Sequence, residues 1–245
     1  SAGAVHGDIS YFQLVNRNKR SLCLDLKQGA GVDAFLRLAA TADVILEGFR
    51  PGVVDKLGIG YQAVAELNPR IVYGAITGYG QDGPYRDRAG HDLNYLGYCG
   101  LLDQIGLPGG APAVPNFQIG DLLGGSLTAL VGVLAGVVDA RSSGRGRYVD
   151  VSMTDAVFAH TIFPLLAVLG LGHALPRGED VLSGGMPSYG VYATSDGRHF
   201  AVSAMEPKFW ANFAHAAGHP EWIARQFEPL PQQALTRDVA AFFAG

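Results

Sequence analysis

The chain has 245 residues, enough for one large domain or for one domain and part of a second. Hydrophobic residues make up 48% of it and charged residues only 16%, so part of the surface is expected to be covered by another subunit or by a ligand. The formal net charge of −4, with no long run of lysine or arginine, argues against nucleic-acid binding.

The chain carries two cysteines and no recognisable secretory signal. Cys23 and Cys99 stand far apart in apolar settings, which predicts two small buried thiols, no disulfide framework and a reducing compartment. The first ten residues lack the basic and apolar regions of a signal peptide, so a cytoplasmic location is expected. Two uncharged stretches, 122–138 and 156–176, are short or interrupted by proline and histidine, which predicts buried helices rather than membrane spans.

Alternating strands and helices are predicted over the first two thirds of the chain. Strands are expected at 20–26, 42–46, 71–77 and 148–153. Helices are expected at 32–42, 61–67 and 121–141, the last with Asp121 at its start, where a helix favours negative charge. This βαβ rhythm predicts a Rossmann-like α/β fold, an open and mostly parallel sheet with helices on both faces.

The last third of the chain has a different pattern. A hairpin is predicted at 191–205, turning at 195–197, and a helix follows that starts with Pro207. We therefore predict a large α/β domain at 1–160, a linker at 161–185 and a small α+β domain at 186–245. Both domains are expected to be incomplete, because no strand with a cofactor-type turn precedes Arg20 and the chain stops within a helical pattern.

The sequence gives little support for the common catalytic and metal-binding motifs. The glycine-rich segment 78–83 has the spacing of a dinucleotide-binding fingerprint, but Pro84 follows where that fingerprint needs a helix. His215 and His219 lack an acidic third ligand, so no metal site is expected. No G-x-S-x-G motif points to a serine hydrolase.

Four polar side chains stand in apolar or glycine-rich settings: His91, Asp92, Asp121 and Glu206. A lone histidine in such a segment is commonly a hydrogen-bonded core residue, and Asp121 could simply cap a helix. Together they favour a site, because breaks after strands and loops are where a doubly wound sheet places its active site.

Longer motifs follow one another along the chain: NRNKRS at 16–21, LDLK at 24–27, EGFRPG at 47–52 and GYGQDGP at 78–84. They resemble the signature of the family III CoA-transferases, the CaiB/BaiF group. GHDLNY at 90–95, GDLLGG at 120–125, GGMPSY at 184–189 and AMEPKF at 204–209 are most similar to its α-methylacyl-CoA racemase branch. The resemblance covers nearly the whole chain, except that the family's first βα unit and its C-terminal return to the large domain are missing.

The resemblance implies an enzyme of lipid metabolism that inverts the α-carbon of a 2-methyl-branched acyl-CoA thioester through an enolate. Two acid/base groups must flank this carbon, because a single base would return the proton to the face it left. By the family match, His91 and Asp121 fill these roles, and Glu206 hydrogen-bonds His91 to hold its orientation.

Three further expectations follow from that chemistry. The ordinary pKa values of Asp and His, roughly 3.9 and 6.5, suit the exchange poorly, so burial is expected to raise the pKa of Asp121. Backbone N–H groups at the start of the Asp121 helix are expected to stabilise the enolate oxygen. Gly90 is expected to let the thioester approach closely.

The CoA moiety of the substrate is expected to be the only cofactor. The resemblance assigns its binding to three segments, namely Leu24, Asp25, Leu26 and Lys27; Arg50; and Gly90, Asp92, Leu93, Asn94 and Tyr95. Arg17, Lys19 and Arg20 are either further phosphate ligands or part of a solvated face. The low charge and long apolar helices fit the family's interlocked homodimer, and the loop 107–116 is expected to contact the acyl group.

Two alternatives stay open. In a CoA-transferase, Asp121 would attack the thioester and carry first the acyl group and then CoA. Transferases of the group generally lack the histidine of the Gly-His-Asp motif, so His91 favours the racemase. In a truncated, non-catalytic paralogue, the chain would only bind acyl-CoA.

Overall fold

A computed structural model describes residues 11–245, and its first unit is built on a three-stranded parallel sheet. The strands are β1 (Val44–Glu47), β2 (Val72–Thr77) and β3 (Arg147–Ser152), in the spatial order β1-β2-β3. Val72 stands opposite both Val44 and Arg147, so β2 is hydrogen-bonded on its two sides. Its apolar side chains are buried above and below the sheet, as a central parallel strand requires.

Helices cover both faces of this sheet. The first unit contains α1 to α9: Tyr11–Val15, Gly29–Ala39, Val53–Lys56, Tyr61–Leu67, Asp92–Tyr98, Leu101–Gln104, Thr128–Ser143, Met153–Ala159 and Ile162–Leu171. On one face, α2 and α4 pack around Ile71 and Tyr73, and on the other α7 packs on Val72. Successive side chains of a strand point to opposite faces, so Val72 and Tyr73, neighbours in β2, belong to two separate cores. The predicted α/β fold is confirmed.

One predicted strand is wrong. Residues 20–26 form no strand, although their apolar and polar residues alternate. A strand needs a partner, and β1 pairs with β2 alone within residues 11–245. Leu22, Leu24 and Leu26 instead line an apolar groove beside α2 and β1, and Asp25 turns the chain by accepting the N–H of Lys27 at 3.0 Å.

The helix predicted at 121–141 begins earlier and is wound in two ways. It opens as a π-helix over Ile119–Leu127 and continues as α7. The hydroxyls of Ser126 and Thr128 donate to carbonyls five residues back, at Asp121 and Leu123. π-Helical turns are rare in proteins overall, and those that do occur are often found at functional sites.

The two apolar stretches form helices, but their predicted burial holds only in part. One face of α7 is buried at Ala129, Val133, Gly136 and Ala140, whereas Leu134 and Val138 are 55% and 70% exposed. No residue of α9 is buried within the described chain. Of the helices in residues 11–245, Ile119–Ser143 is long and apolar enough to cross a membrane, and the bent pair α8–α9 would count as a second. Only the length and the apolar composition of these helices support a membrane-spanning role.

The thiols also differ from expectation. Cys23 and Cys99 are both free, but Cys23 is exposed and only Cys99 is partly buried.

The second unit is an antiparallel hairpin packed on helices. Strands β4 (Tyr189–Ala193) and β5 (His199–Ser203) pair as predicted, and Gly197 supplies the positive φ of the turn. Helix α10 (Pro207–Ala216) begins with Pro207, also as predicted, and a 3₁₀ helix (Pro220–Arg225) and α11 (Gln233–Ala244) follow. Their core surrounds Trp210, whose indole N–H donates to the Trp222 carbonyl at 2.9 Å. The domain boundaries at 160 and 185 stay a prediction.

Gly124 is the closest packing point between the π-helix and α8. A Cβ there would lie 2.7 Å from the Met153 carbonyl oxygen and 2.9 Å from Val157 Cγ2. We expect Gly124→Ala to lower the free energy of unfolding by about 1–3 kcal/mol, measured by urea denaturation, because the helices must separate.

The control is Gly170→Ala in α9, where an added Cβ meets nothing within 4 Å. Alanine is a better helix former than glycine, so we expect no loss and a gain of at most about 1 kcal/mol. Equal destabilisation of the two variants would contradict the packing argument.

Candidate active site

A cavity of about 260 Å³ opens at the carboxyl ends of β1 and β2. The loop 48–51, which follows β1, lines one side, and residues 76–79, at the end of β2, line another. Residues 88–91, which lead into α5, complete the wall with His91. Ligands of open α/β sheets bind at this edge, because the loops that can surround them all leave the strands there.

His91 is held at the N-terminal end of α5. Its backbone is extended, and its N–H donates to Asn94 Oδ1 at 2.9 Å, so Asn94 fixes the first turn of the helix. The imidazole is therefore presented to the cavity from a defined backbone position. Asp92 follows as the first helical residue, where a negative charge is favourable.

Tyr95 fills the space beneath His91. Its hydroxyl donates to the Gly90 carbonyl at 2.7 Å, and its ring would collide with a Cβ on Gly90 at 2.7 Å or on Gly78 at 2.4 Å. Where a Cβ would stand, the space beside Gly90 is taken by Tyr95 and by the Tyr79 hydroxyl. Gly90 also lines the cavity, and its expected role in letting a thioester approach stays a prediction. These glycines let a tyrosine support the loop that carries His91.

Asp121 lies beside His91 and Asp92, at the start of the π-helix. Its backbone N–H donates to Asp92 Oδ1 at 2.9 Å. Partial burial and, second to it, the negative charge of Asp92 raise the pKa of the Asp121 carboxyl, while His91 acts in the opposite direction. The expected direction of this shift is confirmed, with a contribution from Asp92 in addition to burial.

The same hydrogen bond corrects another expectation. The N–H of Asp121 was expected to help stabilise an enolate oxygen, but it already donates to Asp92. A hydrogen bond to a carboxylate is stronger than one between neutral groups, so this N–H is already engaged and is not a free donor for a substrate.

Three arginines, Arg50, Arg86 and Arg88, line the cavity. Arg88 lies over the Tyr85 ring at 4.5 Å and donates to the Tyr98 hydroxyl at 3.1 Å, while Arg86 makes a loose, exposed ion pair with Asp87. Arg50 has no ion pair within residues 11–245. Guanidinium groups gathered in this way suit a ligand that carries phosphates.

Thr77 adds a buried polar group to the same wall. It is 8% exposed, and its Oγ1 has no hydrogen-bond partner among the described residues. Buried hydroxyls are almost always hydrogen-bonded, so this one is suited to a ligand or a water molecule in the cavity.

The structure brings together some of the predicted site residues and not others. Arg50, Gly90, His91 and Tyr95 line one cavity, and Asp92 and Asp121 adjoin it. Leu93 is exposed on α5, and Asn94 is engaged in capping. The segment Leu24–Lys27 lies elsewhere, at the apolar groove beside α2. Lys19, which follows α1, folds back on the end of that helix and donates to the Val15 carbonyl at 2.8 Å.

Glu206 does not contact His91 in this chain. It caps α10 in the second unit, where its carbonyl accepts the N–H groups of Phe209 and Trp210. No hydrogen bond or ion pair connects the Glu206 and His91 side chains anywhere in the described part of the chain.

Several cavity residues were missed at the level of sequence. Arg86, Arg88 and Thr77 were not singled out, and Tyr79 was considered only as part of a glycine loop. One signal was present: arginines alternate with a tyrosine and an aspartate in YRDR at 85–88, immediately before the histidine loop. Arginine next to an aromatic side chain is a common arrangement for recognising anionic, planar groups.

Comparisons with known proteins agree with this geometry. The family model of CoA-transferase family III matches residues 2–245. Mouse α-methylacyl-CoA racemase is 38% identical over 223 residues, which are 91% of this chain and 57% of the mouse protein. The β subunit of succinyl-CoA–L-malate CoA-transferase from Chloroflexus aurantiacus is 34% identical over 88% of this chain and 53% of its own length.

A solved structure gives the same assignment. The crystal structure of a CaiB/BaiF family protein from Brucella suis superimposes with a TM-score of 0.76 at 26% identity, covering 94% of this chain and 61% of that one. The chain thus spans little more than half the length of the relatives it matches. With a family match over almost every residue and a sheet that superimposes on a member's structure, the chain belongs to CoA-transferase family III.

Proposed function

We propose that this chain forms the catalytic part of a racemase that inverts the α-carbon of a 2-methyl-branched acyl-CoA thioester. The observation that carries the proposal is that His91 lines the cavity and Asp121 lies near it, with Asp92, the residue after His91, accepting the Asp121 N–H. The similarity to mouse α-methylacyl-CoA racemase supports the choice of substrate class. No cofactor other than the CoA moiety is needed for this chemistry.

The proposed reaction consists of two proton transfers. One group of the pair takes the α-proton, and the electron pair of the C–H bond moves into an enolate of the thioester. The other group, protonated at the start, then gives its proton to the opposite face of the carbon. The product has inverted configuration, and each group ends in the protonation state in which the other began.

The raised pKa of Asp121 suits this role. A carboxyl group with its ordinary pKa is a weak base and is almost never protonated near neutral pH. Partial burial and the charge of Asp92 bring the proton affinity of Asp121 closer to that of an imidazole. The two groups can then exchange roles with less difference in free energy between the two directions.

The enolate oxygen needs a donor other than Asp121 N–H. A helix leaves its first N–H groups without intrahelical acceptors. The amides of Asp92 and Leu93, the first of α5, directly follow His91 in the chain, and we propose that one of them meets the developing charge.

The CoA moiety is proposed to lie along the arginine side of the cavity. Its phosphates would pair with Arg50, Arg86 and Arg88, and the Thr77 hydroxyl would gain a partner. The assignment of Leu24 to Lys27 to CoA binding remains a prediction, because these residues line a different groove.

A homodimer is proposed on the exposed apolar face of α7. Val131, Leu134 and Val138 of α7, with Leu127 at the end of the π-helix, follow helical spacing on the side opposite the buried Val133 and are 49–70% exposed. A contiguous stripe of this kind typically marks an interface. A second copy would also allow its own Glu206 to approach His91, as the orienting role of Glu206 requires.

CoA transfer is the second candidate. Asp121 is exposed, and the raised pKa of its carboxyl would make its ionised form a better nucleophile toward a thioester. Transferases also stand among the relatives. A third possibility, binding without catalysis, predicts neither proton exchange nor an acyl intermediate.

The first test is proton exchange. We expect the protein to incorporate solvent deuterium at C2 of 2-methylacyl-CoA thioesters without any acyl acceptor, measured by mass spectrometry. His91→Ala and Asp121→Ala should each lower the rate by at least about a hundredfold, since removal of a general base typically costs 10²–10⁴-fold. His215→Ala, an exposed histidine of α10, is the control and should exchange at the parental rate. No exchange by the parent would contradict the proposal.

The second test is trapping of an acyl-enzyme. Hydroxylamine cleaves mixed anhydrides and thioesters, so a transferase incubated with acyl-CoA would acquire a hydroxamate at Asp121. We expect none by peptide mass spectrometry, with Asp121→Asn as the blank. A hydroxamate at Asp121 would assign the chain to CoA transfer instead.

The third test is the oligomeric state. Sedimentation should give twice the mass of the chain, and Leu134→Glu should shift the equilibrium toward monomer, because a buried carboxylate without a partner is costly. Ser195→Glu, in the exposed hairpin turn, adds the same charge and should leave the dimer intact. A parental protein that sediments as a monomer would contradict the dimer.

A further inference from the structure

We propose that Asp92 is the positioning residue of this site: its carboxylate holds the backbone of Asp121 and thereby sets the separation between the two proton-transfer groups. The inference rests on the proposed function for its catalytic meaning. Its structural part, the connection between two chain segments through one carboxylate, can be tested separately.

The geometry of the connection is direct. Asp92 adjoins His91 in the chain, and its Oδ1 accepts the Asp121 N–H at 2.9 Å across 29 residues of sequence. Among the hydrogen bonds of residues 11–245, this one alone joins segment 90–95 to segment 119–125. A shift of the loop that carries His91 is therefore passed to Asp121 through this bond as well as through the packing of α5 on the π-helix.

The surroundings are shaped for a carboxylate at this point. A Cβ on Gly120 would lie 3.0 Å from Asp92 Oδ1 and 3.2 Å from Tyr95 Cδ2, so glycine lets Asp92 approach the helix end. Asp92 thus lies in the first turn of α5 and accepts a hydrogen bond from the first turn of the π-helix. Both helix ends carry partial positive charge, which favours an ionised acceptor over a neutral one.

The negative charge of Asp92 also affects the pKa of the Asp121 carboxyl. Burial is the largest cause of the raised pKa of Asp121, the charge of Asp92 is the second, and His91 opposes them. Other ionisable groups lie on the elements packed against the π-helix, and none of them is among the causes of this pKa shift: Tyr95 and Tyr98 on α5, Asp155 on α8, Asp139 and Arg141 on α7, Tyr73 on β2, and Arg147, Tyr148 and Asp150 on β3. Of the last group, Arg147 pairs with Asp139, and Asp150 accepts the Gln81 N–H.

Two variants separate the hydrogen bond from the charge. D92N keeps an oxygen that can accept the Asp121 N–H but removes the negative charge, and D92A removes both. Asp33→Asn, on the exposed side of α2, removes one negative charge elsewhere and serves as the matched control.

The first readout does not depend on activity. In ¹³C spectra of protein labelled at the aspartate carboxyls, with Asp121→Asn for assignment, the pKa of Asp121 should fall in both D92N and D92A and stay unmoved in D33N. In ¹⁵N–¹H spectra the Asp121 amide proton should move upfield in D92A and much less in D92N, because only D92A loses the acceptor.

The second readout is the pH profile of deuterium exchange. A step in which Asp121 acts as base needs the carboxylate, so its rate falls as the pH drops through the pKa of Asp121. Removing the charge of Asp92 lowers that pKa, so the acidic limb should move to lower pH in both variants. The plateau rate should fall about tenfold to a hundredfold in D92A, as expected when a catalytic group is misplaced, and less in D92N.

Each outcome decides a distinct question. If the Asp121 amide and carboxyl resonances of D92A match the parental ones, Asp92 does not hold Asp121 and the proposal is overturned. Equal plateau losses in D92N and D92A with an unmoved acidic limb would also overturn it, because that pattern indicates a general structural role. If the resonances move as expected but the parent exchanges no proton, the connection stands and the proposed function fails.

Discussion

The central strand β2 is the constraint on which the rest of the first unit depends. Because it pairs in parallel with β1 and β3, the chain leaves all three strands at one edge of the sheet. The loops after β1 and β2 and the segment before α5 therefore meet around one cavity, although they are up to about 45 residues apart in sequence. Burial on both faces keeps β2 in place, since any displacement would expose apolar side chains on one face or the other.

Much of this arrangement could be predicted from sequence. Helix α4 begins and ends where its pattern indicates, β2 begins one residue later than predicted, and β3 is shifted by one residue towards the N-terminus. The hairpin and α10 were recognised from a glycine turn and a first-turn proline. These elements are governed by local rules: apolar periodicity, turn residues and caps. The residues of the site were predicted from the family resemblance. Local rules alone do not decide whether His91 is a core residue or a catalytic one.

The predictions that failed all depend on contacts between segments that are distant in the sequence. Alternation at 20–26 favours a strand, but a strand forms only where another offers its edge. Apolar composition predicted burial for α9, yet burial depends on what lies against a helix. The engagement of the Asp121 amide by Asp92 depends on two segments that meet only in the folded chain, and no local pattern contains that information.

The π-helix has a consequence for how this site can change. A wide turn carries one residue more than an α-helical turn would, and each residue rotates an α-helix by about 100°. Loss of one residue within 122–127 would bring the winding closer to that of an α-helix and rotate the Asp121 side chain relative to α7, while Gly136 kept its close contact with Val72. The direction of the Asp121 side chain is therefore independent of the packing of α7 on β2. A single insertion or deletion in the π-helix would change the site without disturbing that packing.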